Sequence, residues 1–405
     1  MKFTYTEKKD TRSGFGAGLA ELADKNPNVV ALCADLIGSL KMEKFIEKAP
    51  ERFVQTGIAE ANMMGIAAGL ATAGKIPFAG TFANFATSRV LDQVRQSIAY
   101  SNKNVKIAAS HAGLTLGEDG ATHQVLEDIG QMKMLPGMVV INPCDYNQTK
   151  QATLAAAEYE GPVYLRFGRP VVPVFIPEDM PFEIGKGILL QEGKDVTIVA
   201  TGHLVWESLL AAEELEKEGY SVEVIDMFTI KPLDEKLLIK EAKGKSKIVT
   251  IENHSIYGGL GSAVCDVLSE KAPTKVLKIG INDTYGESGP AVELVKKYGL
   301  DAESIYKKIK TSQIILLLIL WITIKIYVDR TYVMMTIWRI NITNYPLFIL
   351  NILIGTLVTT TLFKKIPSCK WLEWTGRHCI VYYFLCGGIP FCIGKICNHL
   401  HLSYS

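Results

Sequence analysis

The stretch Val105-Lys-Ile-Ala-Ala-Ser110-His111-Ala-Gly113-Leu-Thr-Leu-Gly117-Glu118-Asp119-Gly120-Ala-Thr-His123-Gln124 decides how this chain is read. Its first five residues form a short run that reads as a buried strand. The glycines at 113, 117 and 120 then forbid a regular helix, so the chain must continue as a loop. That loop carries two imidazoles and two carboxylates between residues 111 and 123. In an open α/β sheet, ligands bind just beyond the carboxyl ends of the strands. Chemistry is therefore expected here.

The flanking sequence supplies the rest of such a sheet. Arg12 to Lys25 is amphipathic, Val29 to Cys33 is a short apolar strand, and Glu60 to Ala73 is a helix rich in Ala and Gly. A helix from Arg89 to Tyr100, strands over 138–142 and 162–166, and a helix over 145–158 complete the alternation. Strands separated by helices of this length predict βαβ units and a mainly parallel sheet. Gly168 to Ile184, with Pro170, Pro173, Pro177 and Pro181, reads as a linker. A second α/β unit follows, with strands over 195–200, 221–225 and 247–251, a helix over 204–218 and a closing helix over 301–310. The last strand enters Glu252-Asn253-His254 and Gly258-Gly-Leu-Gly261. A lone glycine cluster is weak support for a phosphate loop, and His203 and His254 are expected to be structural. The expected architecture is α/β, two parallel-sheet domains over 1–175 and 191–310 joined by a linker over 176–190.

At Thr311 the composition changes. Residues 311–405 hold eight Lys/Arg and two Asp/Glu, against 35 and 40 in residues 1–310, and five of the eight cysteines fall in 369–397. Neither part is basic enough to suggest nucleic-acid binding. The apolar stretches 314–324, 346–363 and 379–393 predict a hydrophobic helical tail, each somewhat shorter than the ~20 residues that span a bilayer comfortably. Lys364, Lys365, Lys370 and Arg377 would keep the last connection on the cytoplasmic side. Possible membrane association through this tail is thus an expectation. Cys33, Cys144 and Cys265 are scattered, and the N-terminus has no apolar core for a signal peptide, so residues 1–310 are expected to be cytoplasmic.

Two further clusters bear on function: Gln55-Thr-Gly57-Ile58-Ala-Glu60-Ala-Asn-Met-Met-Gly65 and Thr81-Phe82-Ala-Asn-Phe85. With the loop 110–124, they resemble the pyrimidine-binding half of transketolases. The second unit resembles the C-terminal domain of the same enzymes. The resemblance implies thiamine diphosphate as cofactor, with Gly57, Ile58, Glu60, Phe82 and Phe85 around its aminopyrimidine ring. A carboxyl group there, Glu60, holds the ring nitrogen and so sets the tautomer that activates the cofactor. Many transketolases carry another aromatic residue where this chain has Ser88. His111 would help hold a sugar phosphate, Asp119 would recognise a donor hydroxyl, and His123 would lie near the reacting carbons. Arg12, Ser39 and Arg166 match the remaining phosphate-binding positions. A metal site at His111, Glu118, Asp119 and His123 is disfavoured, because the histidines lack an i, i+4 pairing.

The family neutralises the cofactor's diphosphate through Mg2+ held by Gly-Asp-Gly and a later Asn-Asn, a pattern this chain lacks. The resemblance therefore implies one subunit of a split transketolase, active only with an N-terminal subunit that binds most of the metal. Such subunits are expected to homodimerise into a heterotetramer acting on sugar phosphates. The rivals are the β subunit of a 2-oxoacid dehydrogenase, a deoxyxylulose phosphate synthase-like subunit, and a non-catalytic membrane-held fusion. Trp371 to Tyr383 weakly resembles the end of a polytopic membrane acyltransferase.

Overall fold

The computed structural model describes residues 3–245 and 247–312, with isolated positions at 323, 325 and 327. Residues 3–309 belong to one compact unit. Among the described residues no helix is long and apolar enough to cross a membrane. The apolar stretches expected beyond 313 lie, but for Thr323, outside the described residues, as does the acyltransferase-like run 371–383.

The strands are β1 (Lys8–Asp10), β2 (Val29–Cys33), β3 (Phe53–Gln55), β4 (Ile76–Phe82), β5 (Lys106–Ser110), β6 (Val139–Ile141) and β7 (Val163–Arg166). They continue with β8 (Val171–Pro173), β9 (Ile188–Gln191), β10 (Val196–Ala200), β11 (Val222–Asp226), β12 (Thr229–Lys231), β13 (Ile248–Ser255) and β14 (Val276–Ile281). The first sheet runs β12-β6-β7-β5-β4-β2-β3, parallel except for β12. The second runs β14-β13-β10-β11-β9, parallel except for β9. Every residue of β2, β5, β10 and β11 is buried, as expected where helices cover both faces of a parallel sheet.

Helix Thr11–Lys25 begins because the Asp10 carboxylate accepts the Ser13 amide at 2.9 Å. It packs against helix Tyr146–Glu158 at the distance its glycines permit. A Cβ at Gly14 would lie 2.3 Å from the Tyr146 carbonyl oxygen, and one at Gly18 would lie 2.8 Å from Thr153 Cβ. Asp145 caps the second helix through the Gln148 amide, and its other oxygen accepts the Phe175 and Ile176 amides.

Several boundaries differ from the sequence expectation. The proline-rich stretch is not a free linker: Val171–Pro173 pairs antiparallel with β1, and β9 edges the second sheet from within the expected 176–190 linker. Short edge strands tolerate proline, so composition hides them. The strand expected to end at 251 continues to Ser255, which places Glu252-Asn253-His254 inside the sheet. The helix expected over Arg89–Tyr100 is a short turn at Leu91–Gln93 followed by a π-helix over Val94–Tyr100. The two expected domains also interlock, because β12 leaves the second half and pairs with β6 of the first sheet.

Candidate active site

Five neighbouring strands, β7, β5, β4, β2 and β3, deliver the expected residues to one edge of the first sheet. β2 leads to Ser39, β3 to Gly57 and Glu60, β4 to Phe82 and Phe85, β5 to His111, and β7 ends on Arg166. Arg12 enters from the first turn of helix Thr11–Lys25.

Glu60 opens helix Glu60–Thr72, a helix rich in small residues, and is 5 % exposed. Its Oε1 lies 3.6 Å from Arg89 Nη1. Gly57 turns the chain before it with φ +70°, and Ile58 projects into solvent. The Phe82 and Phe85 rings lie nearly parallel with centroids 5.8 Å apart. Phe82 also stacks at 4.0 Å on the His111 ring, and Phe85 meets His123 edge-on at 5.3 Å. The guanidinium of Arg89 sits 4.0 Å above the Phe85 ring. Arg89 thus links the buried Glu60 carboxylate to a cluster of two aromatic rings and two imidazoles. Those groups suit a planar heteroaromatic ring with a nitrogen to be held. No three His, Cys, Asp or Glu side chains among the described residues converge to hold a metal ion.

His111 leaves the strand in the left-handed region, φ +59°, which only a tightly held non-glycine residue adopts. Its Nδ1 is 2.8 Å from Ser110 Oγ, and its Nε2 faces Arg12 Nη1 at 3.5 Å. These partners fit the neutral tautomer with the proton on Nδ1, donated to Ser110 Oγ. Burial, followed by the charges of Arg12 and Arg169, pushes the His111 imidazole down to about 3. At neutral pH it acts as a hydrogen-bonding group and not as a cation. Arg12 Nη1 also donates to the Ser39 carbonyl at 3.3 Å, which brings Arg12, Ser39 and His111 together. His123 Nδ1 contacts Thr122 Oγ1 at 2.9 Å, and Asn84 Nδ2 donates to the Thr122 carbonyl at 2.7 Å, tying the loop to the Phe85 helix. Asp119 is exposed at the loop's rim.

Arg166 is also tied inward. It is 2 % exposed, and Nε and Nη2 grip Asp128 at 2.7 and 3.2 Å, while Nη2 also donates to the Asn253 carbonyl at 2.9 Å. Burial alone would raise the Asp128 carboxyl. The Arg166 charge, with His254 and the Tyr164 hydroxyl, instead holds it below its ordinary range. Arg166 therefore bridges the two halves of the unit, and with Thr11, Ala112 and Gly168 it also lines a small cavity next to Arg12 and His111. Arg169 is the missed cation: it lies beyond the carboxyl end of β7, donates to the Leu116 carbonyl at 2.7 Å, and pairs with Glu118 at 2.8 Å. The rule that ligands sit past strand ends points to it as well as to Arg166. Arg89, which covers Phe85 beside Ser88, was missed because a surface arginine carries no signal of its own.

The glycine cluster at 258–261 is filled from within. Glu252 accepts the Leu260 and Gly261 amides at 2.7 and 2.8 Å, so its carboxylate already occupies this helix start. His254 has both ring nitrogens engaged, Nδ1 with the Ser255 carbonyl and Nε2 with the Gly130 amide.

Residues 7–174 match the sequence model of the transketolase pyrimidine-binding domain, and residues 185–305 match that of the transketolase C-terminal domain. Both end before the hydrophobic tail, whose acyltransferase resemblance gains no support from them. A Methanocaldococcus jannaschii protein with the provisional name transketolase C-terminal section is 50 % identical over 304 residues, 74 % of this chain and 95 % of its own length. A 6-deoxy-6-sulfo-D-fructose transketolase subunit of Clostridium sp. is 44 % identical over 290 residues, 71 % of this chain and 90 % of its own. A solved split-gene transketolase, described as an inactive β4 tetramer, superposes with a TM-score of 0.70 at 49 % identity. That likeness covers 75 % of this chain and 97 % of the other. This chain belongs to the transketolase family.

Proposed function

We propose that this chain is the C-terminal subunit of a split, thiamine diphosphate-dependent transketolase that moves a two-carbon ketol unit between ketose and aldose phosphates. Residues 1–175 serve as its pyrimidine-binding domain and 191–310 as its C-terminal domain. The observation that carries this reading is the convergence of Glu60, Phe82, Phe85, His111, His123 and Arg12 at one sheet edge. Thiamine diphosphate, when bound, supplies the carbanion chemistry that breaks and remakes the ketose carbon–carbon bond.

Glu60 holds the aminopyrimidine nitrogen and moves a proton at its own carboxyl oxygen. Phe85, backed by Phe82, gives that ring an apolar floor once Arg89, which covers Phe85 and faces Glu60, swings aside, and Gly57 and Ile58 border it. Arg12, Ser39, Arg166 and Arg169 hold the substrate's terminal anion, where planar guanidinium donors suit a tetrahedral oxyanion, and neutral His111 steadies Arg12 through Nε2. Asp119 receives a donor hydroxyl, and His123 stands by the reacting carbons as a proton-transfer group. The cofactor's diphosphate and its Mg2+ fall to an N-terminal partner subunit. The partner and a second copy of each chain make a heterotetramer.

The test uses the full chain with and without an N-terminal transketolase subunit carrying the Gly-Asp-Gly motif, thiamine diphosphate and magnesium. Xylulose 5-phosphate is the donor and ribose 5-phosphate the acceptor, beside a sulfonated ketose suggested by the Clostridium relative. Product is expected only in the mixture, and Glu60→Gln is expected to lower its rate by about 10²–10⁴-fold. Associated subunits that form no product from any ketose, or that decarboxylate pyruvate instead, would overturn the reading. So would full activity in Glu60→Gln.

A further inference from the structure

Asn253 lies near the end of β13 in the second sheet, yet its side chain is committed to the catalytic loop of the first. It is 2 % exposed. Its Oδ1 accepts the Leu114 amide at 3.1 Å, and its Nδ2 donates to Thr115 Oγ1 at 3.2 Å. Its own carbonyl accepts from Arg166, so the residue is held on both sides. The loop backbone packs directly on the Asn253 side chain. A Cβ at Gly113, where φ is +77°, would lie 2.3 Å from Asn253 Nδ2.

The loop needs such an anchor. It leaves β5 through His111 and Gly113, both left-handed, and its regular structure is one short turn over Leu114–Leu116. A left-handed histidine is a strained conformation that persists only when its surroundings over-determine it. The far end is closed by Gln124, whose Nε2 donates to the carbonyls of Leu114, Gly117 and Glu287. The near end rests on Asn253.

We propose that Asn253 is a positioning residue for the sugar-phosphate site, fixing the loop so that the His111 imidazole stays between Arg12 and Phe82. An amide suits the place because one contact needs an acceptor and the other a donor. This inference rests on the reading that the loop faces a phosphorylated sugar.

The experiment compares Asn253→Ala and Asn253→Asp in the full chain, reconstituted with the N-terminal subunit, and adds amide hydrogen exchange on the chain itself. Aspartate keeps the acceptor for the Leu114 amide but offers no donor to Thr115 Oγ1, whose own hydroxyl donates to the Ala112 carbonyl. In Asn253→Ala, KM for the phosphorylated ketose is expected to rise about tenfold or more with kcat nearly unchanged, and Asn253→Asp is expected to recover part of it through the Leu114 contact. Amides 113–124 should exchange faster in the alanine variant while β2 and β4 stay protected. Unchanged KM and unchanged exchange at 113–124 overturn the proposal. Should Asn253→Ala not fold, Thr115→Val deletes the loop's end of the second contact, and unchanged exchange there overturns it equally. If no wild-type mixture forms product while 113–124 still loosens, the ketol-transfer reading falls and the positioning role stands.

Discussion

Arg166 and Arg169 are three residues apart in sequence, and their surroundings give them different work. Removing Arg166 would strand Asp128, fully buried, with an unpaired charge. Arg166→Ala should therefore cost about 3–5 kcal/mol of stability, read from chemical denaturation. The Arg169–Glu118 pair has side chains 42 % and 63 % exposed, a setting in which ion pairs contribute less than about 1 kcal/mol. Arg169→Ala should leave the melt nearly unchanged and raise KM for phosphorylated ketoses. A destabilised Arg169→Ala with normal KM would reverse the assignment. His111 makes a prediction of the same scale. Its folded value, about 3, lies below the ordinary 6.5, so the neutral form is the one the fold favours. The stability it contributes is complete above about pH 6.5 and is lost as pH falls toward about 3. In His111→Asn, the acid slope of the thermal midpoint across that window should flatten, and an unchanged slope would count against a buried neutral imidazole. Glu60, the two phenylalanines and the loop histidines were legible because their residue types are unusual together at that spacing. Arg89, Arg169 and Asn253 were not, because tertiary neighbours alone define what they do.

At the scale of elements, glycine shows how much one missing Cβ can mean. The Gly14 contact on helix Thr11–Lys25 is with main chain, which no rotamer change can relieve. Gly14→Ala should therefore lower stability by about 1–3 kcal/mol through overpacking. Gly65 and Gly69, on helix Glu60–Thr72, would meet nothing within 4 Å. Alanine there should stabilise the isolated chain by about 0.5–1 kcal/mol, since only helix propensity changes. Thermal melts of the three variants check both signs, and a stabilised Gly14→Ala would contradict the observed helix spacing. The parallel core strands were legible in sequence because burial on both faces makes them continuous apolar runs. β8, β9 and β12 were not, since each is a short antiparallel edge of three or four residues whose partner lies far along the chain. The π-helix over Val94–Tyr100 was also hidden, because its sequence keeps an ordinary helical pattern.

At the scale of the whole unit, the halves are joined by polar groups that the sequence could not place, because a domain boundary read from composition assumes that few contacts cross it. β12 crosses it, and so does a buried carboxyl. Asp226, at the end of β11, accepts from Gln148 Nε2 of helix Tyr146–Glu158 at 2.6 Å. Burial pushes Asp226 up to about 7, against the smaller opposing effects of Gln148 and Cys144. With a folded value above the unfolded one near 3.8, the native state holds a proton that the unfolded chain has released. The resulting stability is complete below about pH 3.8 and is lost as pH rises through about 7. Asparagine offers Gln148 the same acceptor and cannot ionise. Asp226→Asn should match wild type near pH 4 and exceed it by up to about 4 kcal/mol at pH 8, on the scale of 1.36 kcal/mol per unit of pKa difference. Thermal midpoints of both proteins at pH 4, 6 and 8 decide the matter. A difference that does not grow with pH would mean that Asp226 is ionised in the fold, and that the junction between the two sheets contains a buried charge compensated by other groups.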